Sequence, residues 1–130
     1  MNNGVKAALA AICTLAGFLF GEWNGLMFTL IAAIGIDYIS GVIAAVIEKR
    51  LSSEIGAKGI AKKIFMLLIV AVANIIDINV IGEGNVLKSV TVLFYIANES
   101  ISILENAGRL GVKVPGKLLE VLEQLKDKDK

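Results

Sequence analysis

Apolar residues in this chain come in long runs rather than in an alternating or a helical period. Val5–Phe20 (VKAALAAICTLAGFLF), Leu26–Ile47, Ile64–Ile81 (IFMLLIVAVANIIDINVI) and Val86–Leu104 (VLKSVTVLFYIANESISIL) are four such stretches. Crossing a bilayer takes about 20 mostly apolar residues, with a range of roughly 17 to 25. The second and third runs satisfy this directly. The first is short unless Asn2 to Gly4 join it, and the fourth carries Asn98, Glu99, Ser100 and Ser102 in its second half. A soluble helix presents a polar face at a period near 3.6. Runs two and three have almost none. The pattern predicts an all-α integral membrane protein with about four transmembrane helices, and argues against a soluble bundle.

The connections fit that reading. "GEWNG" at 21–25 and "GEGN" at 82–85 are tight glycine turns, and Trp23 suits a membrane interface. Between runs two and three lies "EKRLSSEIGAKGIAKK", residues 48–63, read as a basic loop with Lys49, Arg50, Lys58, Lys62 and Lys63. The tail adds Arg109, Lys113, Lys117, Lys126, Lys128 and Lys130, and the N-terminus adds Lys6, whereas neither short turn has a basic residue. Lys and Arg are retained on the cytoplasmic side. Four spans therefore place the loop and both termini in the cytoplasm; three would separate the basic loop from the basic tail. Only Lys88, at the outer start of run four, dissents. The first run reads as a retained span rather than a signal peptide, since its basic start is weak and no small-x-small site follows. Ile12 before Cys13 is a poor lipoprotein cleavage context.

A transmembrane domain over 1–108 is thus expected, followed by a tail at 109–130. After Pro115-Gly116, Leu118, Val121, Leu122 and Leu125 share one helical face. This predicts an amphipathic cytoplasmic helix that lies on the inner leaflet or packs on other copies, with a simple solvated tail as the alternative.

Composition narrows the function. Hydrophobic residues make up 56% and charged residues 19%, the net charge is +1, and no long basic stripe exists to meet nucleic acid. There is no histidine, and Cys13 is the single cysteine, which rules out an intrachain disulfide and a thiolate metal cluster. Cys13 reads as a small packing residue. Asp37, Glu99 and the serines have no His or Cys partner for nucleophilic or acid–base work. No enzyme activity, cofactor or metal is expected.

The embedded polar residues are the candidate chemistry. Asp37 stands in "GIDYISG", about 16 Å along the helix from the outer end of its run. A charged aspartate at mid-bilayer costs on the order of 3 kcal/mol. Ala33, Asp37, Gly41 and Ala45 recur every four residues, so this face is expected to be a helix–helix interface. Asn74, Asp77, Asn98 and Glu99 are the other intramembrane polar groups. Asp77 and Lys88, on either side of the 82–85 turn, are expected to form an ion pair. Run four gathers Lys88, Asn98, Glu99, Ser102 and Glu105 loosely on one side. So small a bundle has little interior for two carboxylates, and assembly into a homo-oligomeric ring would let them line a watery opening. The alternative is that they bond between helices of one compact unit.

Two blocks carry a family resemblance. Asp37-Tyr38, Ser40-Gly41, Leu51-Ser52-Ser53 and Gly56 through Lys63 form one; Asn98-Glu99, Glu105-Asn106 and Pro115 form the other. Together they resemble the phage holins of the toxin-secretion/lysis family, which includes holin-like proteins beside clostridial toxin genes. The resemblance covers most of the chain from the second run onward. It implies oligomerisation in the bacterial cytoplasmic membrane and permeabilisation that lets an endolysin, or a large toxin, leave as cargo without stable binding. Membrane lipid is the other implied partner. A small four-helix proton-coupled exporter acting as a dimer, or a membrane scaffold working through the tail, are readings of other classes.

Overall fold

The computed structural model describes residues 2–128; Lys130, counted above among the tail cations, lies outside them. Five helices follow in order: α1 (Asn3–Phe20), α2 (Gly25–Ile47), α3 (Ser53–Ile76, continued by a π-helical stretch, Asp77–Ile81), α4 (Val86–Arg109) and α5 (Gly116–Lys128). Among the described residues there is no strand. α1 to α4, with α3 counted through Ile81, are each long and apolar enough to cross a membrane. The protein is an all-α membrane protein.

Local sequence explains the helix ends. The side chains of Asn2, Asn24 and Ser52 accept N–H bonds from Val5, from Leu26 and Met27, and from Ile55, capping α1, α2 and α3. Such caps satisfy amides that have no partner inside the helix. The Ser52 cap corrects the expected basic loop. Only residues 48–52 connect α2 to α3, and Lys58, Lys62 and Lys63 ride on α3. With its π stretch, α3 runs for 29 residues, about 43 Å at 1.5 Å per residue. That exceeds a hydrocarbon core of about 30 Å, so its basic first turns extend beyond the apolar part.

α2 and α4 form the most extensive pair, α3 packs mainly on α4, and α5 folds back on α4. α1 runs beside α3 alone and buries none of its residues. Cys13, expected as a packing residue, is exposed on it. The apolar core is Met27, Leu30, Val70 and Val92, joined by Phe20, Trp23 and Leu26. It fills the half of the bundle near the two short turns. In α5, Leu118, Val121 and Leu125 are exposed.

At the turn end, Asp77 and Lys88 are both buried, yet they do not make the expected ion pair. The Asp77 carboxylate instead accepts the backbone N–H groups of Leu87 (3.1 Å) and Lys88 (2.9 Å). It caps the first turn of α4, where Asn85 offers no side-chain bond, and a negative group there also meets the positive end of the helix dipole. Lys88 Nζ donates to the Glu22 carbonyl at 2.8 Å, tying the two short turns together. Asn74 Nδ2 donates to the carbonyls of Leu19 (3.0 Å) and Phe18 (3.4 Å) near the end of α1. Gly21 closes α1 at φ 67°, and a Cβ there would lie 2.6 Å from Asn74 Oδ1.

Candidate functional site

The half of the bundle away from the turns is polar inside. Asp37 of α2, Lys63 of α3 and Glu99 of α4 converge there. Lys63 Nζ donates to Asp37 Oδ2 at 2.5 Å and to Glu99 Oε2 at 2.6 Å. Asn106, one further turn pair along α4, donates from Nδ2 to Asp37 Oδ1 (3.1 Å) and to Ser40 Oγ (2.8 Å). The Ser40 hydroxyl donates in turn to the Asp37 carbonyl at 3.1 Å. Arg109 Nη1 donates to Asn106 Oδ1 at 3.3 Å, and its guanidinium pairs with Glu48. The network therefore runs from the centre of α2 to the α2–α3 connection. Among the described residues no buried side-chain nitrogen or oxygen lacks a partner.

Burial of charge explains this completeness. Taking ions out of water costs several kcal/mol each, and attraction offsets that only where the remaining donors and acceptors are satisfied. Two carboxylates share one ammonium, so Asn106 supplies a further donor to the Asp37 carboxylate. At the mouth, outside the spanning part of α2, Arg109 holds the Glu48 carboxyl below the usual carboxylate range.

Several sequence candidates thus meet. Asp37 and Glu99 join Lys63, which was expected in a loop. Ala33 and Ala45 are buried on the same face of α2, and a Cβ on Gly41 would sit 3.6 Å from Asn106 Nδ2. The two carboxylates are satisfied inside a single chain, so a ring is not required to shelter them. Asn98 is half-buried, and no side-chain hydrogen bond ties it to the network. Asn74 and Asp77 belong to the turn end, as described above. Lys49, Arg50, Lys58 and Lys62 are exposed. Ser40 and Asn106 stand in the two resemblance blocks, but the sequence reading gave them no part in a polar network. The available signal was spacing: Asn106 is seven residues after Glu99, which puts both on one face of α4.

Beside the network lies a cleft of about 530 Å³ between the end of α2, the start of α3 and the end of α4; Asp37, Lys63 and Asn106 form part of its wall. Among the described residues, no three or more His, Cys, Asp or Glu side chains are grouped to hold a metal ion. The site offers ion pairing and polar surface between long apolar helices.

A model of the bacteriophage holin family matches residues 14–127. An uncharacterized protein of Listeria monocytogenes is 45% identical over 121 residues, covering 93% of this chain and 83% of its own. An "uncharacterized 14.9 kDa protein in nagH 3′ region" of Clostridium perfringens is 39% identical over 127 residues, 97% of this chain and 96% of its own. A protein of Bacillus phage phi105 named "probable holin" is 44% identical over 105 residues, 81% of this chain and 76% of its own. No solved structure matches.

Proposed function

Because the chain belongs to the bacteriophage holin family, we propose that it accumulates in the bacterial cytoplasmic membrane, assembles with copies of itself and opens a lesion. Through this lesion a cell-wall-degrading endolysin, or a large toxin, leaves the cell. Both termini and the 48–52 connection lie in the cytoplasm, and the two short turns face outward.

The observation that carries the reading is the position of the Asp37–Lys63–Glu99 network. Charged side chains within spanning helices face protein or a water-filled path. In the lone bundle Lys63 is shared between the two carboxylates on a three-helix seam. When copies assemble and the seam opens, the same groups face water and supply the polar wall of an opening. α1, which buries no residue within its own chain, leaves wide apolar surface for lipid and for neighbours. Membership in the family supports a role without catalysis.

The test is induced expression in bacteria with and without a co-expressed endolysin. The protein should halt growth abruptly and make the endolysin lethal. Unchanged growth and a harmless endolysin would count against this reading. A change in drug tolerance without either effect would favour a proton-coupled exporter.

A further inference from the structure

Two hollows adjoin at the basic end of the bundle. The first is the 530 Å³ cleft, whose wall carries Arg50, Lys62, Lys63 and Arg109. The second, about 690 Å³, is bounded by Leu51, Ala57 and Ile60 with Ser52 and Ser53. They share Tyr38, Val42, Leu51 and Gly56, so a charged hollow passes directly into a largely apolar one.

The first hollow is also lined by the exposed carboxylate of Glu105, leaving cations in excess, and those cations are unequally committed. Lys63 is held by Asp37 and Glu99, and Arg109 by Glu48. Arg50 and Lys62 have no carboxylate within salt-bridge distance among the described residues, and both are exposed. The Tyr38 hydroxyl, half-buried between the hollows, makes no hydrogen bond among the described residues. The backbone is shaped around this place. Lys49 takes φ 58°, unusual for a residue with a side chain, and Arg50 N–H closes the turn on the Ala45 carbonyl at 2.8 Å. A single left-handed residue with an amide bonding back into the last turn is a common way for a helix to end. Gly56 and Gly59 of α3 face Tyr38, and a Cβ on them would stand in ordinary contact, 3.4 Å from its hydroxyl and 3.6 Å from its ring.

We propose that these hollows form a binding site for one anionic phospholipid. Its phosphate meets Arg50, Lys62 and the Tyr38 hydroxyl, and its glycerol and upper acyl carbons lie along Val42, Leu51 and Ile60. A free phosphate ion would use only the first hollow. The exposed Leu51 and Ile60, continuous with the cations, fit an amphiphile. The site depends on the protein lying in a membrane and is independent of whether it opens a lesion.

The experiment uses the full chain in detergent, supplied with equal phosphatidylglycerol and phosphatidylcholine and read by native mass spectrometry. Phosphatidylglycerol should be retained selectively. Arg50→Gln with Lys62→Gln should weaken retention about thirtyfold, taking about 1 kcal/mol per cation and 1.4 kcal/mol per tenfold. Lys113→Gln with Lys117→Gln removes the same charge away from the cleft and should weaken it less than about threefold. Arg50→Lys with Lys62→Arg keeps the charge and should retain the lipid, which separates lost binding from lost folding. Inorganic phosphate in excess should not displace it. Equal retention of both lipids, equal loss in the tail variant, loss in the charge-keeping variant, or displacement by phosphate would each overturn the proposal.

Discussion

The ammonium of Lys63 lies 2.5 Å from a carboxylate oxygen of Asp37, a residue 26 positions earlier in the chain, and 2.6 Å from Glu99 on a third helix. One flexible side chain thus closes the seam between α2, α3 and α4. Removing it leaves two carboxylates facing each other without a counter-charge. Lys63→Met should destabilise the bundle by about 3–5 kcal/mol, the usual result of orphaning a buried ion. Adding Asp37→Asn and Glu99→Gln removes the orphaned charges and should restore more than half of that. Denaturant titration in detergent measures both steps.

Asp77 acts on α4 through acceptor oxygens rather than through the charge of Lys88. Asp77→Ala should cost about 1–2 kcal/mol, as for other lost helix caps. Asp77→Asn keeps one acceptor oxygen and should cost less. Comparing the two variants in the same titration separates capping from ion pairing.

Gly21 and Asn74 occupy one another's space. Gly21→Ala must accept a positive φ and an approach of 2.6 Å to Asn74 Oδ1. It should cost more than about 1 kcal/mol, the scale for alanine forced to positive φ. In an Asn74→Ala background the clash is gone and the cost should fall. A double-mutant cycle on thermal unfolding reads this coupling.

Glu48 sits at the mouth of the polar half, with a carboxyl held below its ordinary value of 4.5 by the Arg109 side chain. A group depressed in this way favours the folded state above its unfolded pKa and loses that contribution as pH falls through the folded one. Carbon-detected NMR titration of Glu48 should give a midpoint under 4.5. Arg109→Gln should return it toward the ordinary value.

Much of the architecture could be read from the chain because lipid enforces a simple rule. A spanning segment must satisfy its own backbone, so long apolar runs become helices. The structure places a helix on each of the four runs. The start of α3 was not legible in this way. Its first turns are charged and carry two glycines, so they resemble a loop. Ser52 caps them and the helix continues from Ser53 through residues that are helical but not apolar. The partner of Asp37 was hidden for a related reason. Lys63 is 26 residues away, and cytoplasmic retention of basic residues already accounted for it. Asp77 and Lys88 do not form the expected ion pair, because a carboxylate near a helix start can bond amides as readily as a cation. That choice depends on geometry that spacing does not carry.

On the proposed function, the Asp37–Lys63–Glu99 seam serves the lesion and does more than hold the bundle together. The most direct measurement is endolysin-dependent lysis by the neutral variant Asp37→Asn, Lys63→Met, Glu99→Gln, expressed to the wild-type level in the membrane. This variant should fold, yet leave the endolysin trapped and the culture intact. Lysis at the wild-type onset would contradict it.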